Sequence, residues 1–142
     1  MKPFSKQVLS VALVLVLVVV CCAGVLAEGI EPRWKDLSTF SCSLTRESGL
    51  LSNAHVYAHA SSWISSNTIS LTVTIQKWSG SSYVNTAYSW SSSGKGSASV
   101  DSNISLSAGN YIAHCVATVH DANGNYVETV TENANEMISN PQ

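Results

Sequence analysis

Four histidines, His55, His59, His114 and His120, are the side chains of this chain best suited to metal binding or proton transfer. Zinc holds imidazole nitrogens at about 2.0–2.1 Å, so two ligands of one ion must converge on a point. His55 and His59 share one face of an alternating segment, but four residues along a strand cover about 13 Å. His114 and His120 share a face across a wider gap, and a metal centre there would need partners from another strand. The expectation is four histidines turned to solvent from the outer faces of sheets, with no metal and no cofactor.

Other catalytic patterns fare no better. The chain has no Gly-x-Ser-x-Gly elbow, and its abundance of serine makes a chance Ser/His/Asp triplet uninformative. Gly94-Lys95-Gly96 lacks the first glycine of a phosphate loop and the Ser or Thr that should follow its lysine. It reads as a turn. Acidic residues are scattered singly, without the pairing of a glycosidase or the spacing of a calcium loop. No catalytic residue is expected, and the chain reads as a non-enzyme.

Aromatic side chains give the positive hint. Four tryptophans and five tyrosines are many for a chain of this size, and aromatic rings rimmed by hydroxyls and amides suit sugar rings or a protein partner. Trp90 and Tyr111 fall on core-facing positions of their segments. Trp63, in a predicted loop, and Trp78, beside a Ser-Gly turn, are the candidate ligand-binding residues. Exposure of both on one face would favour a recognition module; burial of both would favour a protein without a small ligand.

These residues are carried by segments of period two. Phe40, Cys42 and Leu44 alternate with Ser41, Ser43 and Thr45, and Ala54, Val56, Ala58 and Ala60 alternate with His55, Tyr57 and His59. Ile69, Leu71, Val73 and Ile75 form the clearest strand, ending near Trp78. Ser79-Gly80-Ser81-Ser82 separates it from Val84, Thr86, Tyr88 and Trp90, which predicts an antiparallel hairpin with a four-residue loop. Ala98, Val100 and Ile104 make a weaker strand. Tyr111, Ala113, Cys115, Ala117 and Val119 share a face, and after the Asn123-Gly124 turn a last strand runs from Tyr126 to about Thr131. The stretch 132–142 shows no period and reads as a flexible tail.

Seven short strands leave no room for long helical periods. The predicted fold class is all-β, an antiparallel β-sandwich of immunoglobulin-like size, with a small β-barrel as the alternative. Tyr111 stands four residues before Cys115 rather than the two of the immunoglobulin tyrosine corner, so only the architecture is inferred. Cys42 and Cys115 both take the core side of their strands and are expected to form a disulfide. It would close a loop spanning about half the chain, a contribution of about 4 kcal/mol in the chain-entropy model.

Lys2 and Lys6 precede an apolar run from Val8 to Val20, broken by Ser10, that closes on Val25-Leu26-Ala27. This is the form of a signal peptide, residues 1–27, cleaved after Ala27. The alternative is an uncleaved anchor, since residues 7–27 carry no charge and are long enough to span a bilayer. Removing the leader leaves Arg33, Lys35, Arg46, Lys77 and Lys95 against nine acidic residues, with no basic block. Nucleic acid is therefore excluded as a partner, because phosphate binding starts from clustered Lys and Arg.

The run Ser41-Cys42-Ser43-Leu44, the segment from Leu71 to Tyr83, and Gly109-Asn110-Tyr111 leading through Cys115 to Gly124 and Glu128 carry a resemblance. Over most of residues 38–131 the chain resembles a family of short secreted proteins of Gram-positive gut bacteria. That resemblance implies a bacterial source, export and an all-β domain. The family has no assigned activity, and no functional residue carries over from it.

The resulting expectation has a leader at 1–27, a polar lead at 28–37, a sandwich domain at 38–131 and a tail at 132–142. It is a secreted, non-enzymatic domain that binds an extracellular glycan or protein and meets a membrane only through residues 7–27 if these are retained. Two alternatives are a released structural or toxin-like protein acting through assembly or a partner and, less favoured, an extracellular hydrolase.

Overall fold

The computed structural model describes residues 34–47 and 53–138. The leader and residues 28–33 of the polar lead lie outside the described residues, and Leu37, the last residue of that lead, already opens β1. Seven strands follow in order: β1 (Leu37–Arg46), β2 (Asn53–Ser62), β3 (Thr68–Trp78), β4 (Tyr83–Lys95), β5 (Ser97–Ser105), β6 (Gly109–His120) and β7 (Tyr126–Ile138). They form two antiparallel sheets, β1-β2-β5 and β4-β3-β6-β7. Neither sheet closes on itself, so the architecture is a sandwich and not the alternative barrel. In the constant-type immunoglobulin arrangement the fourth strand belongs to the first sheet. Here the tight loop 79–82 keeps β4 hydrogen-bonded to β3.

Alternation decides which side chains meet between the sheets. Val56 and Ala58 of β2 and Leu71, Val73 and Ile75 of β3 are fully buried, and Ala113, Cys115 and Ala117 of β6 close the core from the same side. Small residues at 54, 58, 60, 113 and 117 let the sheets approach while the branched residues fill the space between them. Trp90 packs half-buried against this core and Tyr111 is buried, as their parity predicts. The expected disulfide joins Cys42 of β1 to Cys115 of β6, linking one sheet to the other with Cα atoms 6.4 Å apart. Tyr111 also secures its own approach. Its hydroxyl donates to the Ser107 carbonyl at 2.9 Å, and Lys77 Nζ donates to Ser107 Oγ at 2.9 Å above the tyrosine ring. The bond back to the chain a few residues upstream is thus present although the sequence spacing of the tyrosine corner is not.

Gly94-Lys95-Gly96 is the corner at which the chain leaves one sheet for the other. Gly96, at φ +74°, is the link between β4 and β5, and a Cβ on Gly94 would collide with the Ser97 carbonyl oxygen. The Gly96 N–H donates to the Asn67 carbonyl, and its own carbonyl accepts from Ser62 N–H, each at 2.8 Å.

Two expectations need correction. The supposed tail is strand through Ile138: Glu132, Ala134 and Glu136 point inward at the rim, and Ile138 is buried. An edge strand needs only half-burial on its inner side, so glutamates there are tolerated and hide the period. In β4, Val84, opposite Lys77, and Tyr88, stacked on Trp90, keep the inner side that their period gives them but stay exposed at this edge of the sheet. Ile75 alone faces Thr86, Ala87 and Tyr88, a bulge held by Thr86 Oγ1 donating to the Ile75 carbonyl at 2.8 Å. Tyr88 then reaches across to the other sheet and donates to the Ser105 carbonyl at 3.1 Å.

Candidate functional site

The outward side of the four-stranded sheet is built from the residues that alternate with the core. Its rows run from Tyr83–Trp78 on β4 and β3 and Asn110–Met137 on β6 and β7 at one end to Lys95–Thr68–His120–Tyr126 at the other; Met137 and Tyr126 are placed there by their partners on β6. The rows between are filled by Ser, Thr, Asn and Gln with Ile112, Val116 and His114 on β6. Lys95, in the last row, is the one side chain of this face with a formal charge among the described residues.

Cross-strand pairs order the polar groups. Ser70 and Ser93, Thr72 and Ser91, and Thr74 and Ser89 share hydroxyl hydrogen bonds of 3.4, 3.2 and 3.1 Å. Gln76 Nε2 donates to Asn85 Oδ1 at 2.8 Å, and Thr118 and Thr129 pair at 3.0 Å. A hydroxyl has one donor and two acceptor positions, so each pair keeps capacity for a ligand while its rotamers are already set.

At the first end the hairpin loop 79–82 sets Trp78 and Tyr83 opposite each other. Their rings meet edge to face with centroids 5.1 Å apart, and 40% of Trp78 and 39% of Tyr83 remain exposed. Ile112, whose strand neighbours Tyr111 and Ala113 face the core, is nonetheless buried one row away, beside Gln76 and Asn135. An aromatic pair, an apolar floor and an amide rim therefore lie together. Tyr83 and Ile112 were not singled out from sequence. Tyr83 was within reach, because a hairpin with a four-residue loop pairs the residues flanking it.

Trp63 is elsewhere. It stands in the loop between β2 and β3, 76% exposed beside the exposed Ile64, with its N–H donating to the Asp36 carbonyl at 3.0 Å. Thr68 and Trp78 bound a strand of about 33 Å, so the two candidate tryptophans occupy opposite ends of the sandwich. Both are exposed, but one small ligand cannot touch both.

The histidines divide between the two outer faces. His55 and His59 project from β2 on the outside of the three-stranded sheet, and His114 and His120 from β6 on the outside of the other. His55 Nε2 lies 2.8 Å from Asp101 Oδ1 in an open surface pair, a geometry that contributes little. His114 Nδ1 lies 2.8 Å from Asn133 Oδ1, and His120 meets the Tyr126 ring edge-on. Among the described residues no group of three or more His, Cys, Asp or Glu side chains could hold a metal ion, and no helix is long and apolar enough to cross a membrane.

Two carboxylates have lowered pKa values, and both act on the fold. Asp121 accepts from the Asn125 side chain and backbone and from Asn123 N–H, which shapes the loop between β6 and β7. Partial burial opposes the charge of Glu128. Three backbone N–H groups, from Lys35, Asp36 and Leu37 at 2.7–2.8 Å, outweigh it together with the Lys35 charge. Against known proteins, no family model matches this chain and no curated protein matches it.

Proposed function

We propose that this protein is an exported, non-enzymatic recognition module that binds an extracellular glycan or protein at the Trp78–Tyr83 end of its four-stranded sheet. The observation that carries the reading is the exposed edge-to-face pair beside Ile112, with Gln76 and Asn85 at its rim. Flat apolar rings with ordered polar neighbours suit a ligand that has both a C–H face and hydroxyl or amide groups. Export is supported by the leader-like composition of residues 1–27 and by a cystine bridge, a bond that persists in oxidising compartments.

The test is capture of the oxidised full-length protein on bacterial wall polysaccharides, mucin and extracellular protein fractions, beside Trp78→Ala and Trp63→Ala. Trp78→Ala is expected to weaken binding by about 2 kcal/mol, the scale of an aromatic anchor, while Trp63→Ala leaves it unchanged. Equal binding by wild type and Trp78→Ala would refute the assignment of this end.

A further inference from the structure

The charge pattern of the outer face says more about the ligand, and the inference rests on the recognition reading above. We infer that the face binds a neutral polysaccharide chain, laid along β3 from the Trp78–Tyr83 pair across the hydroxyl rows toward Thr68.

The ends of that path differ in chemistry and its middle is uniform. Trp78 and Tyr83 offer ring faces and edges at one end. From there Gln76–Asn85, Thr74–Ser89, Thr72–Ser91 and Ser70–Ser93 succeed one another on β3 and β4. Successive outward rows are separated by about 6.7 Å and adjacent strands by about 4.8 Å, so a donor or acceptor meets the ligand at short intervals over some 33 Å. A small ligand would use one row; only an extended chain uses the series.

Neutrality follows from what the face omits. Asp36, Asp101, Asp121, Glu128, Glu132 and Glu136 all lie elsewhere: in loops, on the other sheet's outer side or on the inward side of β7. Among the described residues an anionic polymer finds Lys95 alone on this face, at the end away from Trp78, and no guanidinium to grip a carboxylate or sulfate. A hydroxyl-rich chain without charge meets complementary hydroxyls and amides and covers no ion that must be desolvated.

The experiment is native affinity electrophoresis of the full-length oxidised protein in gels containing soluble neutral polysaccharides (a β-glucan, a mannan, a galactan) or anionic ones (alginate, hyaluronan, heparin). Wild type is run beside Thr72→Glu, which places a carboxylate in the exposed middle of the face, and Thr72→Ser, which keeps the hydroxyl. Saturable retardation by a neutral chain, weakened about tenfold or more in Thr72→Glu and kept in Thr72→Ser, is the expected result. Thermal unfolding of each variant, with midpoints near wild type, separates lost binding from lost fold. Retardation by anionic chains alone, or neutral binding indifferent to Thr72→Glu, overturns the neutral-chain inference and leaves the recognition module standing. Capture of a protein through Trp78 with no carbohydrate bound does the same. Absence of every ligand overturns both.

Discussion

Glu128 gathers three consecutive N–H groups at the entrance to β1 and ties that entrance to β7. Its pKa is lowered in the folded protein from an ordinary 4.5. Stability from this contact is therefore present in full above the unfolded value and is lost as pH falls through the folded one, because protonation removes the charged acceptor. Glu128→Gln should cost about 1–2 kcal/mol at pH 7, on the scale of hydrogen bonds to a charged group discounted for solvent. The variant should also show a shallower loss of stability on acidification below the ordinary carboxylate range. Urea unfolding midpoints of both proteins between pH 7 and pH 3 measure this, and parallel curves would contradict it. Glu128 could not be found by reading the chain, since its partners are backbone atoms more than ninety positions away. Trp78 could be found, because turn chemistry beside an alternating strand marks an exposed position.

At the level of the element, alternation was readable wherever the inward residues were plainly apolar. β3, with Ile69, Leu71, Val73 and Ile75, falls where its period places it. β7 was cut short because its inward positions beyond Val130 are Glu132, Ala134 and Glu136, a pattern that looks like a polar tail until β6 is laid beside it. Inward glutamates also discourage another chain from adding to that edge, whereas β4 relies on its bulge. The extended β7 makes a prediction opposite to that of a frayed tail. Ending the chain after Thr131 removes the pairing from Cys115↔Glu132 to Gly109↔Ile138 and the buried Ile138 side chain. Burial of one such side chain is worth about 2 kcal/mol, and the bared backbone of β6 adds to the loss. The truncated protein should unfold at lower urea by about 3 kcal/mol or more and should associate in gel filtration through the uncovered edge. A midpoint equal to that of the full chain would show that residues 132–138 contribute no stability.

For the molecule as a whole, the two sheets divide the labour. Their inner sides share one core, while the outer side of β4-β3-β6-β7 is left free of every role in packing except the shelter of Ile112 and Val116. The cystine stands between these tasks, because Cys115 is central to the four-stranded sheet and Cys42 belongs to the far edge of the other. Its partners are 73 positions apart, so reduction frees a long loop in the unfolded chain and should lower stability by about 2–4 kcal/mol. The same treatment should steepen the dependence of unfolding on urea, because an uncrosslinked chain exposes more surface. Cys42→Ala combined with Cys115→Ala should reproduce both changes without reductant. Both cysteines face inward, away from Trp78 and the hydroxyl rows, so at neutral pH without urea the folded double variant should bind as tightly as wild type. Lost binding in a variant that retains its circular dichroism spectrum would mean instead that the face depends on how tightly the two sheets are held together.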